Sequence, residues 1–436
     1  MKRSLVLILA GMWSAAAWSA DLLSVYRDAV QNDAQFAAAR ASREAGQEKT
    51  IQGRAGLLPG IGLSASTAWN DNTYTGVDRS FNANAYGAEL RQPLFNQANW
   101  AQYRQGQLQT ALADAQFQAA QQDLIVRVAE RYFAVLNARD GVAALSTLKE
   151  AAAKQLELAK KSFEVGTVTV TDVHEAQSRF DLSSAQLIAA ENTLEVARQS
   201  LAQLTGNAPE ALNGLREGAS LTRPQPDDVV QWVEAARQHS YGVQVQQLAE
   251  RIADREVSRN RAGHLPTLDV VARYSQSDAG GSTVSSARSE TTARSIGLEL
   301  NVPLFQGGSV SSRTREAAAL LTKAQADLDD AQRAAALSAR QSYLGVTSGL
   351  AQVKALEAAQ VSSRSALEAN QLGYEVGVRI NIDVLNAQSQ LADTEQQLAK
   401  ARYDTLIAQL RLKAAAGALG EDDLAQLNAL LDRPSN

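Results

Sequence analysis

The second half of this chain repeats the first, and that repeat constrains the fold more than any single motif. Phe163-Glu-Val-Gly-Thr-Val-Thr-Val-Thr-Asp172-Val173 is answered 211 residues later by Tyr374-Glu-Val-Gly-Val-Arg-Ile-Asn-Ile-Asp383-Val384. Ala176-Gln177-Ser178 recurs as Ala387-Gln388-Ser389 in the same register, and Tyr132 and Gly206 land on Tyr343 and Gly417. Upstream, Pro93-Leu-Phe95 matches Pro303-Leu-Phe305 at an offset of 210, and Leu58-Pro59 matches Leu265-Pro266 at 207. The offset slips in loops, as expected for one supersecondary unit copied once.

Each copy reads helix, hairpin, long helix, helix. Copy one is placed at 21–206 and copy two at 228–417. A linker at 207–227 carries Pro209, Pro224 and Pro226, and a tail follows at 418–436. The first helix is predicted over 22–57, with Gly56 and Pro59 marking its end. Ile61, Leu63, Ala65, Thr67 and Trp69 then alternate with Gly62, Ser64 and Ser66, the period of a strand. A turn-like stretch at 75–82 precedes the return strand, where Tyr86, Ala88, Leu90 and Leu94 alternate with Gly87, Glu89 and Arg91, completing a hairpin at 61–95. Copy two gives the equivalent hairpin at 267–305. Leu268, Val270, Ala272 and Tyr274 form one strand, a Gly/Ser-rich loop spans 278–290, and Ile296, Leu298, Leu300 and Val302 face away from Gly297, Glu299 and Asn301.

The segments 97–162 and 309–373 are predicted as long helices. Between Asn96 and Ser162 there is no proline, and Leu145, Leu148, Ala152, Leu156, Ala159 and Phe163 follow a coiled-coil spacing. Some 65 helical residues extend about 100 Å, more than a globular domain needs. Helices at 171–205 and 382–417 are heptad-spaced as well. Leu187, Leu194 and Leu201 align with Leu398, Thr405 and Leu412, and Ala190, Ala197 and Leu204 with Ala401, Ala408 and Ala415. These stripes are packing positions. Two short helices laid end to end match one long helix, so each copy predicts a rod with a hairpin at one end and a tight turn at the other.

The start of the chain does not belong to that fold. Lys2-Arg3, the apolar run from Leu5 to Met12 and a small-residue stretch form a secretory signal at 1–20, with cleavage after Ala17 or Ala20. No later segment offers about 18 consecutive apolar residues, so no transmembrane helix is expected. The chain has no cysteine, which excludes disulfides and thiolate metal sites, and its net charge of −5 argues against a nucleic-acid partner. The three histidines, His174, His239 and His264, stand in no metal-ligand or triad spacing, no phosphate-binding loop follows a strand, and Asp227-Asp228 reads as a helix start. Neither a cofactor nor catalysis is expected.

Membrane insertion then requires a β-barrel, the other structure that satisfies its backbone in lipid. Strands of about 10 to 14 residues are long enough to cross when tilted. Trp69, Tyr74, Tyr86, Phe95 and Trp100 stand where an interfacial aromatic belt is expected. Four strands per chain cannot close a barrel with an open lumen, and two chains give eight, whose interior fills with side chains. Three chains give twelve, with Glu89, Arg91, Glu299 and Asn301 facing water inside. The alternative architecture is an exported coiled-coil fibre, which explains the helices and leaves the amphipathic hairpins without a role.

These residues resemble the TolC family of outer-membrane efflux and type I secretion channels over the whole mature chain. The most specific pieces are Gly263-His-Leu-Pro-Thr-Leu-Asp269, Pro303-Leu-Phe-Gln-Gly-Gly308, and Tyr374-Glu-Val-Gly-Val-Arg379 with Asp383-Val-Leu385. The resemblance implies an α+β membrane protein: a homotrimeric 12-stranded outer-membrane barrel, set in lipid, on a long α-helical coiled-coil periplasmic tunnel. It implies a closed tip that opens when a periplasmic adaptor and an inner-membrane pump, ABC-type or proton-driven, dock.

By the same resemblance, Asp383 forms a threefold acidic constriction, although an Asp at a helix start also reads as a cap. The family's second acidic ring falls on Asn386, so this chain departs there and loses charge. The closed state is expected to rest on Tyr374 and Arg379 from copy two meeting Thr171 and Asp172 from copy one. The turns Val165-Gly166-Thr167 and Val376-Gly377-Val378 are the expected adaptor-docking grooves, and each also needs its glycine simply to turn.

Overall fold

The computed structural model describes residues 20–209, 211–216 and 218–432, so the expected signal segment lies outside the described residues except for Ala20. Contacts divide the chain into two compact units. One takes the residues up to 38, 120–240 and those from 334 on; the other takes 39–119 and 241–333. Neither unit is one repeat, because each draws segments from both copies.

The second unit holds the sheet. Strands β1 (Gly60–Tyr74), β2 (Val77–Phe95), β3 (Thr267–Ala279) and β4 (Ser289–Asn301) lie in that order, all antiparallel. The first hairpin is longer than the sequence pattern indicates. Residues 75–82 do not form a turn: Tyr74 pairs with Val77, and the turn is Thr75-Gly76 alone, with φ of 50° and 78°. Two positive φ values are those of a type I′ turn, whose twist suits a hairpin. The polar run that looks loop-like is strand, held by cross-strand bonds: Ser80 donates to Asp71 at 2.7 Å and Thr67 to Asn82 at 3.1 Å. β2 therefore has 19 residues, beyond the expected range. Tyr86 consequently stands in mid-strand opposite Ala65, away from any strand end, and Trp100 lies in the next helix.

The predicted helix 22–57 is two helices, α1 (Leu22–Asn32) and α2 (Ala34–Ala55). Asp33 breaks it. Its backbone is extended, and its carboxylate accepts from the Phe36 amide at 3.1 Å and from Arg127 at 2.8 Å. Burial opposes the charge, but those hydrogen bonds hold the carboxyl below its ordinary value. An Asp side chain competes with the helix for its own neighbouring amides, so it favours such a break. The second copy breaks at the same place, 207 residues on, where Ser240 separates α5 (Val229–His239) from α6 (Tyr241–Arg261).

The long helices are α3 (Gln97–Glu164) and α7 (Ser309–Glu375). Their antiparallel partners are α4 (Val170–Thr205) and α8 (Asn381–Ala415), and α9 (Glu421–Asn428) lies in the tail. In the stripe on α3, Ala152, Leu156 and Ala159 are buried, and they pack on Ala176, Val173 and Phe180 of α4. The stripe stops there, because Phe163 is exposed in the last turn. In the first unit Tyr132, Phe133, Leu136, Leu201 and Leu406 are buried, with Phe133 stacked on Tyr403 at 5.4 Å, and Leu412 packs with Trp232, Val346 and Ala416. Tyr132 is fully buried and donates to the Asn213 carbonyl at 2.8 Å. Its copy-two counterpart Tyr343 instead donates to Asp227 at the surface, at 2.7 Å.

One helix pair approaches unusually closely. A Cβ at Gly106 of α3 would stand 2.4 Å from the Lys49 carbonyl of α2, and one at Gly46 would stand 2.2 Å from the Ala113 Cβ. Only glycine allows that contact.

Candidate functional site

The sheet has two chemically opposite faces. On one, Ile61, Leu90, Ala272 and Ile296 stand side by side across all four strands. Ile61, Leu63, Ile296, Leu298 and Leu300 are 64–85 % exposed, so none of the described residues covers this face. A contiguous uncovered apolar face on a sheet needs an apolar partner.

The other face carries charge, and the register explains how. Glu89 pairs with Arg273, and Asp269 with Glu299, while Arg91 lies next to both rows. Arg91 reaches Asp269 at 2.8 Å, Glu299 at 3.0 Å and Glu89 at 3.7 Å; Arg273 reaches Glu89 at 2.9 Å and Glu299 at 3.8 Å. Three carboxylates and two guanidinium groups thus form one network. Of these, Glu89, Arg91 and Glu299 are expected from the sequence, while Asp269 and Arg273 are additions. Both additions fall on the polar parity of β3, so the alternation contained them. Asn301 ends β4 on the same parity, opposite Thr267.

The two helix-hairpin turns have the same backbone. In copy one, the Thr167 amide donates to the Ser162 carbonyl and the Gly166 amide to Phe163, both at 2.9 Å. In copy two, Val378 donates to Gly373 at 2.9 Å and Gly377 to Tyr374 at 3.1 Å. This is the Schellman arrangement, which requires a left-handed residue at its centre. Gly166 and Gly377 supply it, with φ of 76° and 79°. A side chain at either would meet no atom within 4 Å. Val165, Val376 and Val378 around them are strongly exposed.

The side chains differ between the copies. Thr169 caps α4: its hydroxyl accepts from the Asp172 amide at 3.3 Å, and Asp172 accepts from the Thr169 amide and hydroxyl, both at 2.8 Å. Those bonds hold the Asp172 carboxyl below its ordinary value. In copy two the cap is Ile380, which has no side chain to offer. Asp383 is therefore not the cap residue itself; it sits in the first turn, 3.6 Å from Arg379. The Arg379 side chain lies against Gly373, where an added Cβ would stand 2.6 Å from its Cγ. Tyr374 packs with Ala387 on a cluster of Leu367, Val384 and Leu391. Asn386 accepts from Arg179 of α4 at 3.1 Å, a partner that no sequence pattern indicates. Thr171 is exposed in the first turn of α4. Within one chain, then, Arg379 and Asp172 each pair locally rather than with one another.

Among the described residues no group of acidic, histidine or cysteine side chains could hold a metal ion, and no helix is long and apolar enough to cross a membrane.

A four-stranded sheet with one bare apolar and one charged face, in a chain that also folds two long helical hairpins, defines the class of outer-membrane channel proteins. The chain belongs to the outer membrane efflux protein family, whose model matches it twice, at residues 25–207 and 232–418. It is 33 % identical over 436 residues to the outer membrane protein TolC of Vibrio cholerae, covering 98 % of each chain. It is 35 % identical over 418 residues to the alkaline protease secretion protein AprF of Pseudomonas aeruginosa, covering 94 % of this chain and 86 % of that one. Its fold matches the crystal structure of the Campylobacter jejuni CmeC outer membrane channel with a TM-score of 0.78 at 17 % identity, over 94 % and 90 % of the two chains. These relatives are channel and secretion proteins rather than enzymes. The fibre alternative finds no support among them.

Proposed function

We propose that this chain is the outer-membrane exit duct of a tripartite efflux pump or type I secretion system. The observation that carries it is the sheet: four strands, a bare apolar face, a charged opposite face, and one unpaired edge each on β1 and β4. Three copies joined edge to edge give twelve strands, with the Glu89, Arg91, Asp269, Arg273 and Glu299 network turned to the lumen and the apolar face to lipid. The duct is passive, and the cargo is selected by the inner-membrane pump, either ABC-type or proton-driven.

The helix-hairpin turns carry the gate. Asp383 supplies a threefold ring of carboxylates, and Tyr374, Arg379, Thr171, Asp172 and Asn386 surround it as the gate. Arg379 already neutralises Asp383 at 3.6 Å and folds over Gly373, so removing it frees both the carboxylate and the turn. The exposed valines and backbone at 165–167 and 376–378 form the periplasmic adaptor's docking surface. Reconstitution into planar bilayers tests the reading. The protein should give single-channel currents, and Tyr374→Phe with Arg379→Ser should raise the conductance. A protein that never conducts would refute the duct, and an unchanged conductance in the double variant would refute the gate.

A further inference from the structure

We propose that Arg294, with the ring of Tyr274 and the apolar groove below them, holds a phosphorylated membrane lipid on the outside of the sheet. Side chains on the apolar face come from the odd positions of β1 and the even positions of β2, β3 and β4. Read along all four strands, those positions carry a single cation, Arg294. Arg79, Arg91 and Arg273 all lie on the opposite parity. A guanidinium beside rows of leucine, isoleucine, valine and alanine is costly in hydrocarbon unless it finds an anion.

Its position identifies the anion. Towards the helices, the Arg294 face continues through Ile296, Leu298 and Leu300, with Leu304 and Phe305 exposed beyond. Towards the hairpin tips the same rows turn polar: Gln276 pairs with Thr292, and Asp278 with Glu290. From Leu300 to Arg294 is six residues of β4, about 20 Å of strand, or roughly 15 Å of height at the usual tilt. The apolar rows end at the Arg294 row and the polar rows begin beside it, so Arg294 stands at the boundary of the apolar face, where headgroup phosphates lie.

The guanidinium is held over the Tyr274 ring, 5.7 Å from its centroid, and no carboxylate of the described residues pairs with it. The pair borders an open groove of about 480 Å³, lined mostly by Ile61, Ala88, Leu90, Ala272 and Ile296, with Glu89, Arg273 and Ser295 also along it. A cation at the rim and an apolar trough below it match the two ends of one amphiphile: a phosphate for Arg294 and an acyl chain for the groove.

The inference rests on the proposed membrane role of the sheet, and one experiment separates the two. Delipidated full-length protein is titrated in native mass spectrometry with a bis-phosphorylated lipid A, with phosphatidylcholine, and with inorganic phosphate alone. The wild type should retain lipid A with roughly fivefold preference over phosphatidylcholine. Arg294→Gln should erase that preference, Arg294→Lys should keep most of it, and Tyr274→Leu should weaken it. Equal retention by wild type and Arg294→Gln would overturn the proposal, and so would inorganic phosphate binding as well as the lipid does. Asp71 lies on the same face of the edge strand β1, eight residues beyond Leu63 of Arg294's row, and is the control for a carboxylate of a neighbouring copy. If Asp71→Asn erases the preference as fully as Arg294→Gln, the site is an ion pair between copies and the lipid proposal falls. Failure of the protein to insert into bilayers at all would overturn both this inference and the duct.

Discussion

The two helix-hairpin turns differ in what their carboxylates do. Around Gly166, Asp172 is bound to its own helix start by three hydrogen bonds with Thr169. Around Gly377, the cap is Ile380, Asn381 Oδ1 is buried with no hydrogen-bond partner, and Asp383 is held only by Arg379 across 3.6 Å. One backbone was copied, and one copy closed on itself while the other kept a loosely held acid. A duplicated unit can therefore hold its two carboxylates differently without changing the turn.

The largest effect expected from breaking this comparison is at the glycines. Gly166→Leu or Gly377→Leu adds backbone strain of about 1–2 kcal/mol and meets no neighbour. Trimers should still reach the outer membrane while export is lost. Drug susceptibility or secretion assays, read beside trimer levels, would show whether both turns are used or one.

The next effect is in the paired tyrosines. Tyr132→Phe leaves the buried Asn213 carbonyl short of a donor and should cost roughly 1–3 kcal/mol, whereas Tyr343→Phe at the surface should cost less. Thermal or denaturant unfolding of the two variants checks the order.

Smaller again are the caps. Thr169→Ala should cost about 1 kcal/mol, and Ile380→Thr should gain a similar amount by installing the cap that copy two lacks. The first cap is also pH-dependent. The folded Asp172 lies below its unfolded value near 3.8, so its contribution is present above that pH and is lost as pH falls through the folded value. Helix-specific hydrogen exchange at falling pH should fray the start of α4, and Thr169→Ala should weaken that dependence while the backbone amide of residue 169 keeps part of it.

The smallest effect is Asn386→Asp. It would face Arg179 and add an exposed ion pair worth about 1 kcal/mol or less. It should raise cation preference in bilayer recordings only slightly, because Arg179 would offset the added charge.

Periodicity made the elements and the sheet faces legible, because period 2 and the heptad are direct consequences of strand and helix geometry. Pattern fails where local chemistry overrides it. Asp33 breaks a helix that the end signals make continuous over 22–57, and Ser240 breaks its counterpart in copy two. Polar cross-strand pairs such as Asp71 with Ser80 imitate a loop. The site residues divide in the same way. Glu89, Arg91 and Glu299 follow from alternation, and Asp269 and Arg273 share their parity. The link from Arg179 to Asn386 joins residues 207 apart in different repeats, and no local pattern encodes such a pair. The contrast between Thr169 and Ile380 is visible in the aligned repeats as hydroxyl against hydrocarbon, yet its meaning depends on a cap geometry that only the fold supplies.

The open edges of β1 and β4 bear on the order of events in biogenesis. Each leaves a full row of amides and carbonyls unpaired, which water tolerates and hydrocarbon does not. A lone protomer is therefore barred from the bilayer by its own backbone. Folding of the helices can precede membrane entry, but insertion must coincide with the meeting of partners, so the membrane admits only finished rings and screens out every incomplete one.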